Sequence, residues 1–228
     1  MEYRLTDEQR EWRERARAFA LEEVAPRAAE LDAKVDPAEA FSWEIVEAAD
    51  ARGLRLAPLP AEYGGGGTDF LTNAVMLEEI AAADMGVAVV LAQTWKFAQL
   101  LMELGTADQR ERWLPRLAEN PRGLMAASFT EPGYGSDNVL TYAGVDGGMQ
   151  STATKVEGGW VLRGEKHYIS NSNRADIILA LMRTDPTVPV KDGCSAFIVP
   201  ADHPHVRFGV VHDKMGERLA NNSEIFYE

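Results

Sequence analysis

The sequence predicts an α+β chain in two parts: an N-terminal α-helical bundle over residues 1–122 and a small antiparallel β domain over residues 123–228, incomplete at its C-terminal end. Three observations carry this. Long runs hold apolar residues at helical spacing as far as Leu117. After Pro121 the period changes, and short apolar runs recur between Pro, Asp and Gly. At the seam, Ala126–Asp137 packs a β-like run, a Pro-Gly turn and a Gly-Ser-Asp together.

The first helix runs from Thr6 to Val24, with Leu5, Trp12, Ala16, Phe19 and Ala20 at helical spacing. Thr6 and Gln9 form a capping-box pattern at its start. Pro26 is read as a kink in this helix rather than its end. A second helix fits Ser42 to Arg52, stopped by Gly53. Pro58 to Gly67 is a loop. Its four glycines invite a phosphate-cradle reading, but no Gly-Lys-Ser/Thr follows and no strand precedes. Asp69–Ala83 and Val87–Leu104 are apolar almost all round, as helices inside a bundle are. Trp95 and Phe97 are therefore read as core rather than cofactor contacts. Gly105-Thr106 ends the second of these helices, and Asp108–Leu117 makes another. Beyond Pro121, strands are expected at Leu124–Phe129, Trp160–Arg163, Ile177–Met182, Ser195–Val199 and Val206–Val211. Asn222–Glu228 stops within a strand-like pattern.

With 228 residues the chain can bury a substantial core. Its net charge of −13 argues against nucleic acid or an anionic membrane as the main partner. A single cysteine, Cys194, excludes an internal disulfide framework and suits a reducing compartment. No apolar run is seen to approach the roughly 20 residues that span a bilayer. The start lacks a signal pattern, so a cytoplasmic location is expected.

Two motifs can carry chemistry. In the seam stretch, Thr130 and Ser136 offer hydroxyls, while Gly133 and Gly135 allow close backbone approach to a ligand. The same residues also read as an ordinary turn between strands, with Asp137 bonding its own backbone. The second motif is Gly164–Asn171, where Tyr168 and Ser170 share a strand face by alternation and His167 falls on the other. An aromatic beside a hydroxyl suits a flat heteroaromatic ring; a cross-strand aromatic pair is the other reading. No metal is expected: His203-Pro204-His205 has a rigid spacer and no third ligand, which points to a surface loop. Cys194 has no basic neighbour in sequence and reads as a quiet thiol.

Taken in order, Pro60–Gly65, Thr130-Glu131-Pro132, Gly135-Ser136-Asp137, Gly164, Lys166, Tyr168–Asn171, Asp213–Gly216 and Asn222–Ile225 resemble the acyl-CoA dehydrogenase family along essentially the whole chain. The resemblance implies an FAD enzyme that oxidises an acyl-CoA thioester to the 2,3-enoyl-CoA. It further implies fatty acid metabolism, a homotetramer and an electron-transferring flavoprotein as electron acceptor. Phe129 and Thr130 would lie along the flavin ring, with the Thr130 hydroxyl on its pyrimidine edge. Gly135 and Ser136 would approach the pyrophosphate, Ser136 also lying near the CoA arm of the substrate. Tyr168, Ile169 and Ser170 complete the flavin contacts, with Tyr168 in place of the family's usual Trp and Ser170 in place of its Thr. Glu131 and Asp137 are given structural roles.

The sequence also departs from the family. Phe129 stands where a smaller aliphatic residue is usual and Leu140 where a small residue is common, and Thr141–Thr154 aligns poorly. The family's catalytic Glu belongs to a C-terminal helical domain, so no catalytic residue is named here. The missing helices are expected either from the remainder of a longer protein or from a partner chain. A non-catalytic flavin- or partner-binding protein, or a flavin monooxygenase or nitroalkane oxidase relative, stays open as an alternative.

Overall fold

A computed structural model describes residues 4–138, 145 and 148–228. Leu140, Thr141 and Gly147, which figured in the departures above, lie outside the described residues. The chain divides into two compact units. One runs to Leu124 and takes in Asp213–Ala220; the other is Met125–His212 with Asn221–Glu228. The division differs from the two-piece reading because Asp213–Ala220 returns to the helical unit. There Leu219 joins the helical core, and Arg218 donates to the carbonyls of Asp32 (2.8 Å) and Lys34 (2.6 Å).

The helical unit comprises α1 (Asp7–Phe19), α2 (Ala25–Asp32), α3 (Trp43–Ala51), α4 (Phe70–Ala83), α5 (Met85–Leu104) and α6 (Ala107–Glu119). Thr6 caps α1 through the full capping box with Gln9, and Thr106 with Gln109 repeats the device on α6. Ser42, Asp69 and Asp84 cap α3, α4 and α5. A π-helical turn, Ala20–Val24, joins α1 to α2, so Pro26 falls in the first turn of α2, where its missing N–H costs nothing. Gly65 and Gly66 serve packing rather than a phosphate. A Cβ on Gly65 would stand 1.9 Å from the Leu59 carbonyl oxygen, and one on Gly66 2.2 Å from the Trp12 ring.

Contrary to expectation, α5 is long and apolar enough to cross a membrane by length and composition. Here it is the core helix of the unit, burying Val87, Leu91, Trp95, Phe97 and Leu101 among others. The Trp95 indole N–H donates to the carbonyls of Leu54 (2.8 Å) and Arg55 (3.0 Å), which fits its reading as core.

The β unit is a seven-stranded sheet: β1 (Met125–Ser128), β2 (Thr152–Val156), β3 (Gly159–Ser170), β4 (Ile177–Arg183), β5 (Cys194–Pro200), β6 (Val206–Val211) and β7 (Asn222–Tyr227). The order is β1-β4-β2-β3-β7-β6, with β5 on β4. The sheet is mixed rather than antiparallel, since β1 and β2 each run parallel to β4. Strand β2 was not expected; exposed Thr152, Thr154 and Lys155 dilute its apolar signal. Ala126, Ile178, Ala180, Met182, Ile169 and Ile225 lead its core.

Both neighbours of β7 slip register at one level. Between the pairs Lys166–Ile225 and Ile169–Ser223, β3 has one residue more than β7. Strand β6 does the same between Phe208–Ile225 and Val211–Ser223, so both bulges face Glu224.

Candidate functional site

Within the β unit, the two motifs singled out in the sequence meet. The His167 N–H donates to the Thr130 carbonyl at 2.8 Å, and the Thr130 hydroxyl donates back to the His167 carbonyl. With its proton used inside the protein, Thr130 keeps lone pairs to offer a ligand donor. Phe129 and Thr130 are half-buried just beyond the end of β1. Glu131 and Tyr134 then exchange backbone hydrogen bonds of 2.9 and 3.1 Å, closing a tight turn over Pro132-Gly133. Gly135 and Ser136 follow, both exposed. A Cβ placed on Gly133 or Gly135 would meet nothing within 4 Å, so this arm is an open cradle.

Beneath the turn lies a buried ion pair. Lys166 Nζ is 2.9 Å from Glu131 Oε1 and 3.3 Å from the Phe129 carbonyl oxygen. Glu131 also accepts the N–H groups of Gln150 (2.7 Å) and Ser151 (2.9 Å). Burial pushes the Glu131 carboxyl up, but Lys166 and these N–H groups outweigh it and hold the group below the ordinary carboxylate range. Burial pulls Lys166 below the ordinary lysine range, with Glu131 opposing. Glu131 is thus fully engaged as a structural residue. A cavity of about 240 Å³ opens beside the same turn, lined in part by Gly133, Tyr134, Gln150 and Gly164.

Tyr168 sits in the β3 bulge with φ of 59° and is 61% exposed. The bulge overturns the simple alternation expected here. His167 does not point away from Tyr168; their ring centroids are 4.3 Å apart, and His212 lies 4.6 Å from each. Ile169 is buried in the sheet core. The Asn222 amide donates to the Tyr168 carbonyl and to the Ser170 hydroxyl, both at 3.1 Å, and so ties the bulge to β7. Sequence reasoning missed this positioning role, although Asn222 stands within a quoted motif. Asp137, in a short 3-10 turn, is exposed.

Glu165, His167 and Glu224 form a group with metal-ligand chemistry. The carboxylates face opposite ring nitrogens, Glu165 at 3.8 Å from Nδ1 and Glu224 at 3.7 Å from Nε2. Both separations are too long for hydrogen bonds, and the His167 Nδ1 is buried without a hydrogen-bond partner. His203 and His205 lie in an exposed turn, and burial pushes the Cys194 thiol up, as a quiet thiol requires.

An exposed flat ring, a hydroxyl two residues on and a glycine-rich open arm together fit a planar, phosphate-bearing cofactor such as FAD. Comparison with known proteins points the same way. Residues 6–121 match the model of the acyl-CoA dehydrogenase N-terminal domain and residues 126–228 that of the middle domain. The chain is 35% identical over 225 residues to a cyclohex-1-ene-1-carbonyl-CoA dehydrogenase of Syntrophus aciditrophicus, covering 98% of this chain and 51% of that protein. It is 34% identical to a short-chain specific acyl-CoA dehydrogenase of Clostridium acetobutylicum, covering 100% and 57%. Among solved structures, butyryl-CoA dehydrogenase from Megasphaera elsdenii superposes with a TM-score of 0.87 at 31% identity, covering 100% of this chain and 57% of that one. A structure described as the electron transferring flavoprotein of Acidaminococcus fermentans gives 0.87 at 29% with the same coverage, and an FAD complex of PigA 0.85 at 26%, again covering 100% and 57%. The chain thus spans little more than half the length of these relatives.

Proposed function

Because the chain belongs to the acyl-CoA dehydrogenase family, a family of FAD-dependent oxidoreductases, we propose that its β unit is the flavin platform for oxidation of an acyl-CoA thioester to the 2,3-enoyl-CoA. The observation that carries this is the reciprocal pairing of Thr130 with His167, which joins the open glycine arm to the exposed Tyr168 ring. In this reading Phe129, Thr130, Tyr168 and Ser170 border the flavin ring, while Ile169, its side chain buried in the sheet core, contributes only main chain. Gly135 and Ser136 take its pyrophosphate, and Ser136 also meets the CoA arm. Bound there, FAD would supply the hydride acceptor. The chain's own contribution is fixed hydrogen-bond donors and acceptors and a stacking face, set before the ligand arrives.

The proton-abstracting carboxylate is assigned outside these 228 residues, as the resemblance implies. An electron-transferring flavoprotein as acceptor, a homotetramer and a cytoplasmic setting in fatty acid metabolism belong to the same proposal. The acceptor is supported by the structural neighbour described as an electron transferring flavoprotein, and the reducing setting by the lone cysteine.

The test is to add FAD to the purified chain, desalt, and record the flavin absorption band. A retained band is expected, with binding weakened about tenfold in Tyr168→Ala, worth roughly 1.4 kcal/mol. A colourless chain sinks the platform reading. Oxidation itself is tested in an assembly that includes the base-bearing region, by anaerobic bleaching with straight, branched and cyclic acyl-CoAs. Failure with all of them, flavin being bound, sinks the dehydrogenase reading.

A further inference from the structure

The β unit gathers three metal-ligating side chains that the flavin reading does not use. Glu165 and His167 share β3, and Glu224 reaches them from β7. One ligand atom of each lies within 4.8 Å of the other two. Nothing local in the sequence announces the group, because Glu224 comes from a strand far along the chain.

Two features prepare the group for a cation. The first is charge. Among the described residues neither Glu165 nor Glu224 has a lysine or arginine in ion-pair range, so two carboxylates flank one imidazole with no fixed positive charge beside them. His167 and Glu224 are largely buried, and carboxylates so placed call for a counter-charge. The second is geometry. The Val210 N–H, in the β6 bulge, donates to Glu224 Oε2 at 3.1 Å. Gly209 makes room for that oxygen, since a Cβ there would stand 2.1 Å from it. Oε1 is left facing His167 Nε2 at 3.7 Å. The imidazole is held in turn by the Tyr168 ring and by His212, on which it stacks at 15°. Ligands of a tetrahedral zinc ion, with bonds of about 2.0–2.2 Å, stand roughly 3.3–3.6 Å apart. The gap is thus too long for a hydrogen bond and within a small side-chain rotation of bridging an ion.

We propose that His167 Nε2 and Glu224 Oε1 bind a divalent cation of the zinc class, with Glu165 orienting the ring from behind. Nδ1 is buried without a partner and closed to an ion. Once Nε2 is ligated, Nδ1 carries the proton, and Glu165 Oε1, 3.8 Å away on that side, is the acceptor in reach. Water completes the coordination. Magnesium is disfavoured because it demands oxygen ligands where this site offers an imidazole. The ion fastens the β3 bulge that presents Tyr168 to β7. The inference does not rest on the flavin reading: the side chains lie wholly in the β unit, and the site is read by metal binding alone.

The experiment is calorimetric titration of the 228-residue chain with zinc chloride and with magnesium chloride in a non-chelating buffer. Saturable zinc binding is expected, with magnesium about a hundredfold weaker. His167→Ala and Glu224→Gln should each lose about tenfold or more in zinc affinity. Glu165→Ala should lose about tenfold, while Glu165→Gln, whose amide oxygen still accepts the ring N–H, should stay within about threefold. A chain carrying both His203→Ala and His205→Ala should keep its zinc. Undiminished affinity in His167→Ala or Glu224→Gln, a loss that follows His203 and His205 instead, or no saturable zinc binding would each overturn the proposal. Equal losses in the two Glu165 variants would overturn the orienting role. Should His167→Ala and Glu224→Gln not fold, ring-nitrogen NMR decides. Zinc must lock a histidine other than His203 and His205 as the Nδ1–H tautomer, and its failure to do so overturns the assignment. A chain that holds FAD but not zinc sinks this site alone, and the reverse result sinks only the flavin platform.

Discussion

Arg55 in the helical unit and Lys166 in the β unit are buried to 1% and 0% exposure, yet they do different work. Arg55 donates mostly to main chain: the carbonyls of Leu117 (3.0 Å), Ala118 (3.3 Å) and Gly123 (2.8 Å), with Asp50 Oδ1 at 2.8 Å. It thereby satisfies the carbonyls left open at the end of α6. Lys166 instead meets a carboxylate that is itself anchored by two backbone N–H groups, and that cluster holds a turn with little regular structure of its own. One buried cation consolidates a fold that packing already favours. The other fixes a loop that packing would leave undetermined, and the candidate site is built on that loop.

Breaking the two clusters in turn sharpens the contrast. Lys166→Met should have the largest effect, about 3–5 kcal/mol, because it strands the buried Glu131 carboxylate. Chemical denaturation with segment-resolved hydrogen exchange should show the loss in the β unit, together with loss of FAD binding. Arg55→Met should cost less, about 2–3 kcal/mol for carbonyls left without a donor. Exchange should quicken at the end of α6 while FAD affinity is preserved; a matching loss of FAD would dissolve the distinction.

A third, smaller effect is read as a slope against pH. Glu131 has its folded-state pKa below its ordinary value of 4.5. Its stabilisation is therefore complete above that value and is lost as pH falls through the lower folded one. Glu131→Gln should flatten the acid limb of the stability curve in that window. An unchanged limb would show that the carboxyl is not held ionised. The smallest effect is Thr6→Ala, which removes the capping box of α1 at about 1 kcal/mol with no change in FAD binding.

What could be read in sequence follows the same division. The helices were legible because their caps and periodicity are local: Thr6 with Gln9, Ser42, and the apolar run of α5. The site motifs were legible as residue types, but their arrangement was not. Nothing local says that Thr130 pairs with His167 thirty-seven positions on, or that Lys166 reaches back to Glu131. The position of His167 was misjudged because strand alternation fails at a bulge, and no turn residue marks this one; Tyr168 takes a positive φ without being glycine. The mixed sheet was missed because the direction of pairing depends on strands far apart in sequence, such as β1 beside β4.

The paired bulges opposite Glu224 also bear on how this sheet can tolerate gained or lost residues. Lys166 and Ile169 are three apart, an odd spacing, yet their partners Ile225 and Ser223 are two apart and lie on one face. The extra residue in β3 resets the inside-outside parity midway along the strand. Deleting Tyr168 would leave Lys166 and Ile169 on that face in an even ladder, but would remove the bulge that holds the Tyr168 ring beside His167 and His212. A length change in β3 at this step therefore acts on the presentation of Tyr168 rather than on the burial of its neighbours. The loop between β5 and β6, which lies outside the ladder, is the place where a lineage or a protein engineer could add residues without disturbing that parity.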